Sequence, residues 1–141
     1  MKAHTYLHFG GNCEEAMDFY KDILGGQITT LMRFSDAPKE VFTAPDFAQN
    51  WIMHCTLEFG GALLMASDFL NDDKEKFNLG NNFAVSINVD SIEEGQKIFD
   101  GLVSEGELFM PFSDAFWGGK FGMLRDKFGV SWMISSEHKT E

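Results

Sequence analysis

The sequence predicts an α+β chain of two tandem βαβββ modules, cup-shaped mixed sheets with helices on their outer faces. Three patterns predict it: a glycine-closed hairpin near the C-terminus, a capped amphipathic helix that occurs twice, and a second hairpin that repeats the first. In the C-terminal hairpin, β-leaning runs at 120–125 and 130–135 flank Asp126 to Gly129, where glycine tolerates the positive φ of a tight loop. Its second strand places Val130, Trp132 and Ile134 on one face and Ser131, Met133 and Ser135 on the other, as a period of two requires. The first face is apolar enough to carry a helix, which leaves the second free to line a pocket.

In chain order, residues 4–9 alternate as a strand, with His4, Tyr6 and His8 on one face and Thr5, Leu7 and Phe9 on the other. Gly10 and Gly11 end it. Asn12 with Glu15 reads as a capping box opening a helix whose stripe is Ala16, Phe19, Tyr20, Ile23 and Leu24. Gly25 and Gly26 stop that helix, and a β-leaning run follows at 27–34. Residues 83–89 form the next strand, with Phe83, Val85, Ile87 and Val89 opposite Ala84, Ser86 and Asn88. Ser91 with Glu94 repeats the capping box, and Ile92, Ile98, Phe99, Leu102 and Val103 repeat the stripe.

The hairpins repeat as well, with Gly61 matching Gly129. Helices and hairpins repeat at different offsets, so the first half carries an insertion. It falls at about 35–50, where Pro38 and Pro45 break regular structure. The expected organisation is one domain over 1–141, with module 1 at about 3–68 and module 2 at about 82–136. Two half-cups facing each other would enclose a cavity. Phe42, Phe47 and Trp51 in the insertion would serve as cavity rim and dimer contact.

A chain of 141 residues suits one domain that buries roughly two thirds of its unfolded surface. Eleven Lys and Arg against 22 Asp and Glu give a net charge of −11, which argues against nucleic acid and anionic membranes as partners. The same balance favours a cationic, aromatic small molecule. No run approaches the ~18 apolar residues of a membrane span. The two cysteines, Cys13 and Cys55, and the absence of an N-terminal signal pattern place the chain in a reducing cytoplasm, with both thiols buried and structural.

Residues 6–20, His54 to Gly61 running into Met65 and Asp68, Phe116 and Trp117, Lys120 to Gly122, Asp126 to Gly129 and Trp132 to Ile134 together resemble the PhnB-like branch of the vicinal-oxygen-chelate superfamily. That superfamily includes glyoxalase I, extradiol dioxygenases and bleomycin-binding proteins. The resemblance spans nearly the whole chain and implies the glyoxalase/bleomycin-resistance fold, a homodimer and cavities between modules. Members of the branch are often described as a 3-demethylubiquinone methyltransferase domain. Gly118, Gly119 and Gly122 nevertheless lack the strand-to-helix setting of a nucleotide-binding loop.

Catalytic relatives hold a divalent ion with a ligand from the first strand of each module and an acid from the last strand of each hairpin. By that resemblance His4 stands at the first-module ligand position and Asn82, within one residue, at its second-module counterpart. The two acid positions, counted from the hairpin glycines, are Met65 and Met133. A thioether is a poor ligand for Mg²⁺, Mn²⁺ or Zn²⁺. The expectation is therefore no cofactor, with small-molecule binding in a cavity whose candidate residues are His4, His8, His54, Met65, Met133, Phe116, Trp117 and Phe121. Ser131, Ser86 and Ala84 share that face. The alternative is a divalent-metal lyase, isomerase or dioxygenase with a rearranged site drawn from His4, His54 and Glu58, with His8 beside them; a third reading is metal-free acid–base chemistry by His54 with Glu58 or Asp114.

Overall fold

A computed structural model describes residues 1–70 and 77–137. The chain runs β1 (Thr5–Phe9), α1 (Cys13–Leu24), β2 (Gln27–Arg33), β3 (Ile52–Phe59), β4 (Ala62–Asp68), β5 (Val85–Val89), α2 (Ile92–Val103), β6 (Glu107–Asp114), β7 (Lys120–Arg125) and β8 (Ser131–Ser136). It divides into two compact units, Met1–Asn78 and Leu79–Glu141. The junction expected at 68–82 falls partly outside the described residues.

Each unit is one βαβββ module. The first sheet has the order β1-β4-β3-β2 and the second β5-β8-β7-β6. In each, the first strand runs parallel to the last and the other pairings are antiparallel. The sheets are therefore mixed, as the repeat predicts. The strand expected at 83–89 starts later, at Val85, and Phe83 is left exposed.

The alternation of each strand decides which face takes the helix. In the first unit Leu7, Phe9, Cys55, Leu57, Leu64 and Ala66 are buried with Ala16, Met17 and Tyr20 of α1. In the second, Leu124, Trp132 and Ile134 are buried with Ile98, Phe99 and Leu102 of α2. Gly122 is fixed by this packing, because a Cβ there would stand 2.7 Å from the Phe99 ring. The edge strands β2 and β6 are mostly exposed, and both pair with register irregularities. Such bulges blunt a sheet edge against unwanted pairing.

The two helices are capped differently. Ser91 accepts from the Glu94 N–H at 3.0 Å, as the capping pattern predicts. Asn12 makes no side-chain cap, contrary to the expected box with Glu15. The reason lies 55 residues away in the chain: the buried Asp68 carboxylate accepts from Gly11 N–H and Cys13 N–H, both at 2.9 Å, through Oδ1. Its Oδ2 accepts from Ile52 N–H at 2.8 Å. One side chain at the end of β4 thus ties the start of α1 to the start of β3. In the second unit the Ser136 hydroxyl accepts from Lys120 N–H at 3.3 Å, the counterpart of the Ile52 contact.

The insertion folds onto its own module. It contains 3-10 turns at Phe34–Asp36 and Asp46–Ala48, and Ala44 and Ala48 are buried. Trp51 lies against Gly11, whose φ of +111° and 2.8 Å clearance to the indole leave no place for a side chain. Arg33 at the end of β2 grips Glu14 of α1 with two hydrogen bonds, 3.1 and 2.7 Å. That hydrogen bond holds the Glu14 carboxyl below its ordinary value, against a smaller opposing effect of burial.

Replacing Asp68 by Ala leaves three N–H groups without their acceptor. At about 1–3 kcal/mol for each unsatisfied buried donor, Asp68→Ala is expected to lose about 3 kcal/mol or more. The measurement is a urea unfolding midpoint, read with an unchanged m-value.

Candidate functional site

Each sheet turns one face to its helix, so the candidates lie on the opposite face. On the first sheet the register aligns Thr30, Thr56, Met65 and Tyr6 across the four strands. One step along, Met32 pairs with His54, and Ser67 with His8. Tyr6, His8, His54 and Met65 therefore share one surface, while Leu7, Phe9, Cys55 and Leu64 point into the core.

Here the side chains form a connected polar cluster. Tyr6 Oη stands 3.1 Å from His54 Nδ1, and His54 Nε2 stands 2.8 Å from Thr56 Oγ1. A neutral imidazole has one donor and one acceptor nitrogen, and hydroxyls at both sides satisfy either tautomer. Ser67 Oγ lies 3.4 Å from His8 Nδ1. The Tyr6 ring lies 5.2 Å from the His8 ring and 5.7 Å from that of His54, and Phe69 meets His8 edge-on at 5.9 Å. Tyr6, Thr56, Ser67 and Phe69 were not singled out from the sequence. Tyr6 and Thr56 were legible as same-face neighbours of His8 and His54; the pairing of β1 with β4 that adds Ser67 is a long-range feature.

His4 precedes β1 and is exposed. Thr5 pairs with Leu64 and Val85 with Trp132, and these partners sit three residues after Gly61 and Gly129 respectively. The counterpart of His4 is therefore Ala84, and the expected Asn82 is displaced by two positions. Ala84 has no donor atom to offer. Glu58 stands on the His54 face but four residues along, roughly 13 Å away at the usual strand rise. It lines a separate hollow of about 520 Å³ at the glycine-rich end of the sheet, with Gly25, Gly26, Gly60 and Gly61. Among the described residues no three His, Cys, Asp or Glu side chains come together to hold a metal ion, so His4, His54 and Glu58 do not fit a divalent ion.

On the second sheet the corresponding row is Ser86, Met133, Met123 and Met110. The next row is Asn88, Ser135, Phe121 and Ser113. Phe121 meets Trp117 at 5.7 Å, and Trp117 meets Phe116 edge-on at 4.8 Å. Phe116 and Trp117 belong to the β6–β7 turn and are 98 % and 63 % exposed. Met133 and Met123 line a mostly apolar hollow of about 670 Å³ with Phe83, Phe109, Arg125 and Ser131. Asp114, at the end of β6, pairs with Lys120 across that turn. It lies in the other unit from His54.

Both cysteines are buried against α1 and β3 and are free. Burial first, then the charges of Asp68, Cys55 and Glu14, pushes the Cys13 thiol well above its ordinary range. Burial, then Asp18 and Glu14, pushes Cys55 up to about 11. Neither is a nucleophile at neutral pH. Because each thiol keeps its proton in the fold after the unfolded chain has released it, stability is full below the ordinary value of 9.0 and falls as pH rises from there towards about 11 for Cys55. Urea midpoints taken across that window are expected to decline, and Cys55→Ala to make the decline shallower.

The comparisons with known proteins match this architecture. The family profile described as 3-demethylubiquinone-9 3-methyltransferase matches residues 1–135. Protein YjdN of Escherichia coli (strain K12) is 32 % identical, over 96 % of this chain and 95 % of its own. The crystal structure of protein PA1353 from Pseudomonas aeruginosa superposes with a TM-score of 0.84 at 35 % identity, covering 99 % of both chains. A putative 3-demethylubiquinone-9 3-methyltransferase, PhnB protein, from Bacillus cereus gives 0.78 at 26 %, covering 96 % of this chain and 99 % of that one. A glyoxylase/bleomycin resistance protein/dioxygenase domain from Frankia sp. EAN1pec shares the fold alone, with a TM-score of 0.65 at 13 % identity, covering 100 % and 94 %. The chain belongs to the PhnB-like family carried by the 3-demethylubiquinone-9 3-methyltransferase profile, and its fold is the one seen in glyoxalase/bleomycin-resistance/dioxygenase proteins.

Proposed function

We propose that the protein binds a small, largely apolar molecule without the help of a metal ion. The observation that carries this reading is the pair Met65 and Met133, which occupy equivalent central positions on the open faces of the two sheets. Soft, flexible thioethers there favour contact with an apolar guest over ion chelation. The hollow beside Met133 has a volume within the usual range of small-molecule sites and a lining of the usual kind, apolar walls with a few polar groups.

A methyltransferase reading finds little support in the local structure. Gly118 and Gly119 turn antiparallel β6 into β7, and no helix follows them. At the start of α1, where a strand does lead into a helix, the Gly11 and Cys13 N–H groups are taken by Asp68 and are not free for a nucleotide phosphate.

The test is native mass spectrometry of protein purified without a chelator, alongside elemental analysis. The expected result is a retained organic molecule and less than one divalent ion per subunit. Phe83→Ala, at the exposed rim of the hollow beside Met133, is expected to weaken that retention while changing stability by less than about 1 kcal/mol, as for other exposed sites. One tightly held divalent ion per subunit, lost in His4→Ala, would overturn the reading.

We also place the protein in the cytoplasm as a homodimer. Buried reduced thiols and the exposed apolar side chains Leu108 and Met110 on β6 support this. Among the described residues no helix is long and apolar enough to cross a membrane. Light scattering is expected to give twice the 15.9 kDa chain mass.

A further inference from the structure

We infer that the hollow on the second module takes an anionic ligand, a small carboxylate with an apolar body, and that Arg125 is the group that recognises its charge. This deepens the binding reading above and rests on it.

Arg125 lines the hollow together with Phe83, Phe109, Met123, Ser131 and Met133. Its guanidinium is poorly satisfied for so strong a donor. Among the described residues it makes one hydrogen bond, a long one of 3.4 Å from Nη2 to the Gly80 carbonyl oxygen. Its Nε is buried and has no hydrogen-bond partner. Among the described residues it takes part in none of the ion pairs, which join Lys21 to Asp18, Arg33 to Glu14 and Lys127 to Glu105.

Two acids near it in the chain or the register do not neutralise it. Glu107 is its cross-strand partner on β6 but forms no ion pair with it. The Asp126 carboxylate is engaged by Phe128 N–H, Val130 N–H and the Trp132 indole N–H, at 2.8, 3.1 and 2.8 Å. The Nε is closed off from a ligand, so an anion in the hollow would be met by the terminal nitrogens, whose N–H groups, among the described residues, make only the one long bond to Gly80.

The position of the guanidinium selects the kind of ligand. Its Cζ lies 5.9 Å from the centre of the Phe109 ring, beside an apolar wall. A planar guanidinium with free N–H groups matches a carboxylate through two parallel hydrogen bonds. Ser131, opposite Arg125 in the register, adds a hydroxyl on the same face. The chain as a whole carries −11, so its long-range field disfavours anions. Selection at the hollow therefore depends on short-range pairing, which survives screening better than the long-range field does.

The experiment compares 3-phenylpropionate with 3-phenylpropionamide, which has the same body and no charge. Binding is followed by ¹H–¹⁵N spectra that include the arginine Nε–H signals. The carboxylate is expected to shift the Arg125 Nε–H signal and to bind at least about tenfold more tightly than the amide. Arg125→Gln should remove that preference, Arg125→Lys should retain part of it, and Met133→Ala should weaken both compounds alike. Unchanged spectral dispersion in each variant shows that the fold persists. Equal affinity for the two compounds, or a carboxylate preference that survives Arg125→Gln, overturns the anion assignment and leaves the apolar-binding reading standing. No binding by either compound, together with no retained molecule in the native mass spectrum, overturns both.

Discussion

The first module depends on one buried carboxylate. Asp68 closes β4, and its two oxygens hold three backbone N–H groups from segments far apart in the chain. Those groups would otherwise be orphan donors at the entry to a helix and at the start of a strand. Satisfying them with a single side chain fixes where α1 begins relative to the sheet. Everything on the open face inherits that placement, because β1 enters α1 through the residues that Asp68 holds. The second module solves the same problem with less: Ser136 holds one N–H, and Ser91 caps its own helix.

Two modules of one design have thereby diverged on their open faces. The geometry is shared, since Tyr6 beside Met65 corresponds to Ser86 beside Met133. The chemistry is not. The first face gathers tyrosine, two histidines and hydroxyls into two hydrogen-bonded sets, Tyr6 with His54 and Thr56, and His8 with Ser67, joined by the contact of the Tyr6 and His8 rings. The second gathers three methionines, phenylalanines and a guanidinium. A residue that alternates away from the helix is free of core packing, so it changes at little cost to stability, whereas Leu57 and Leu124 on the core side are both fully buried.

Much of this was legible in the sequence because it follows from local periodicity. The alternation of 4–9 assigned Leu7 and Phe9 to the core, and Gly61 and Gly129 marked both hairpins. Ser91 and Glu94 announced the second helix correctly. The same pattern at Asn12 misled, because the true cap comes from Asp68, and a partner 55 residues distant leaves no local trace. The His4 counterpart was misplaced for a related reason: the register of β5 on β8 is set by pairing, and loop lengths around the glycine turns do not reveal it. Arg125 passed unnoticed since a charged residue on a strand ordinarily reads as solvated. Only its place on the wall of the hollow and, among the described residues, the lack of a carboxylate partner set it apart.

The three tryptophans occupy three distinct settings. Trp132 is wholly enclosed with its indole N–H on Asp126, Trp51 is half-covered beside Gly11, and Trp117 stands in solvent at the β6–β7 turn. A collisional quencher such as iodide reaches the last and not the first. The most readily quenched part of the emission thus reports on that turn, the most shielded part follows the integrity of the C-terminal hairpin, and Trp51 contributes between them.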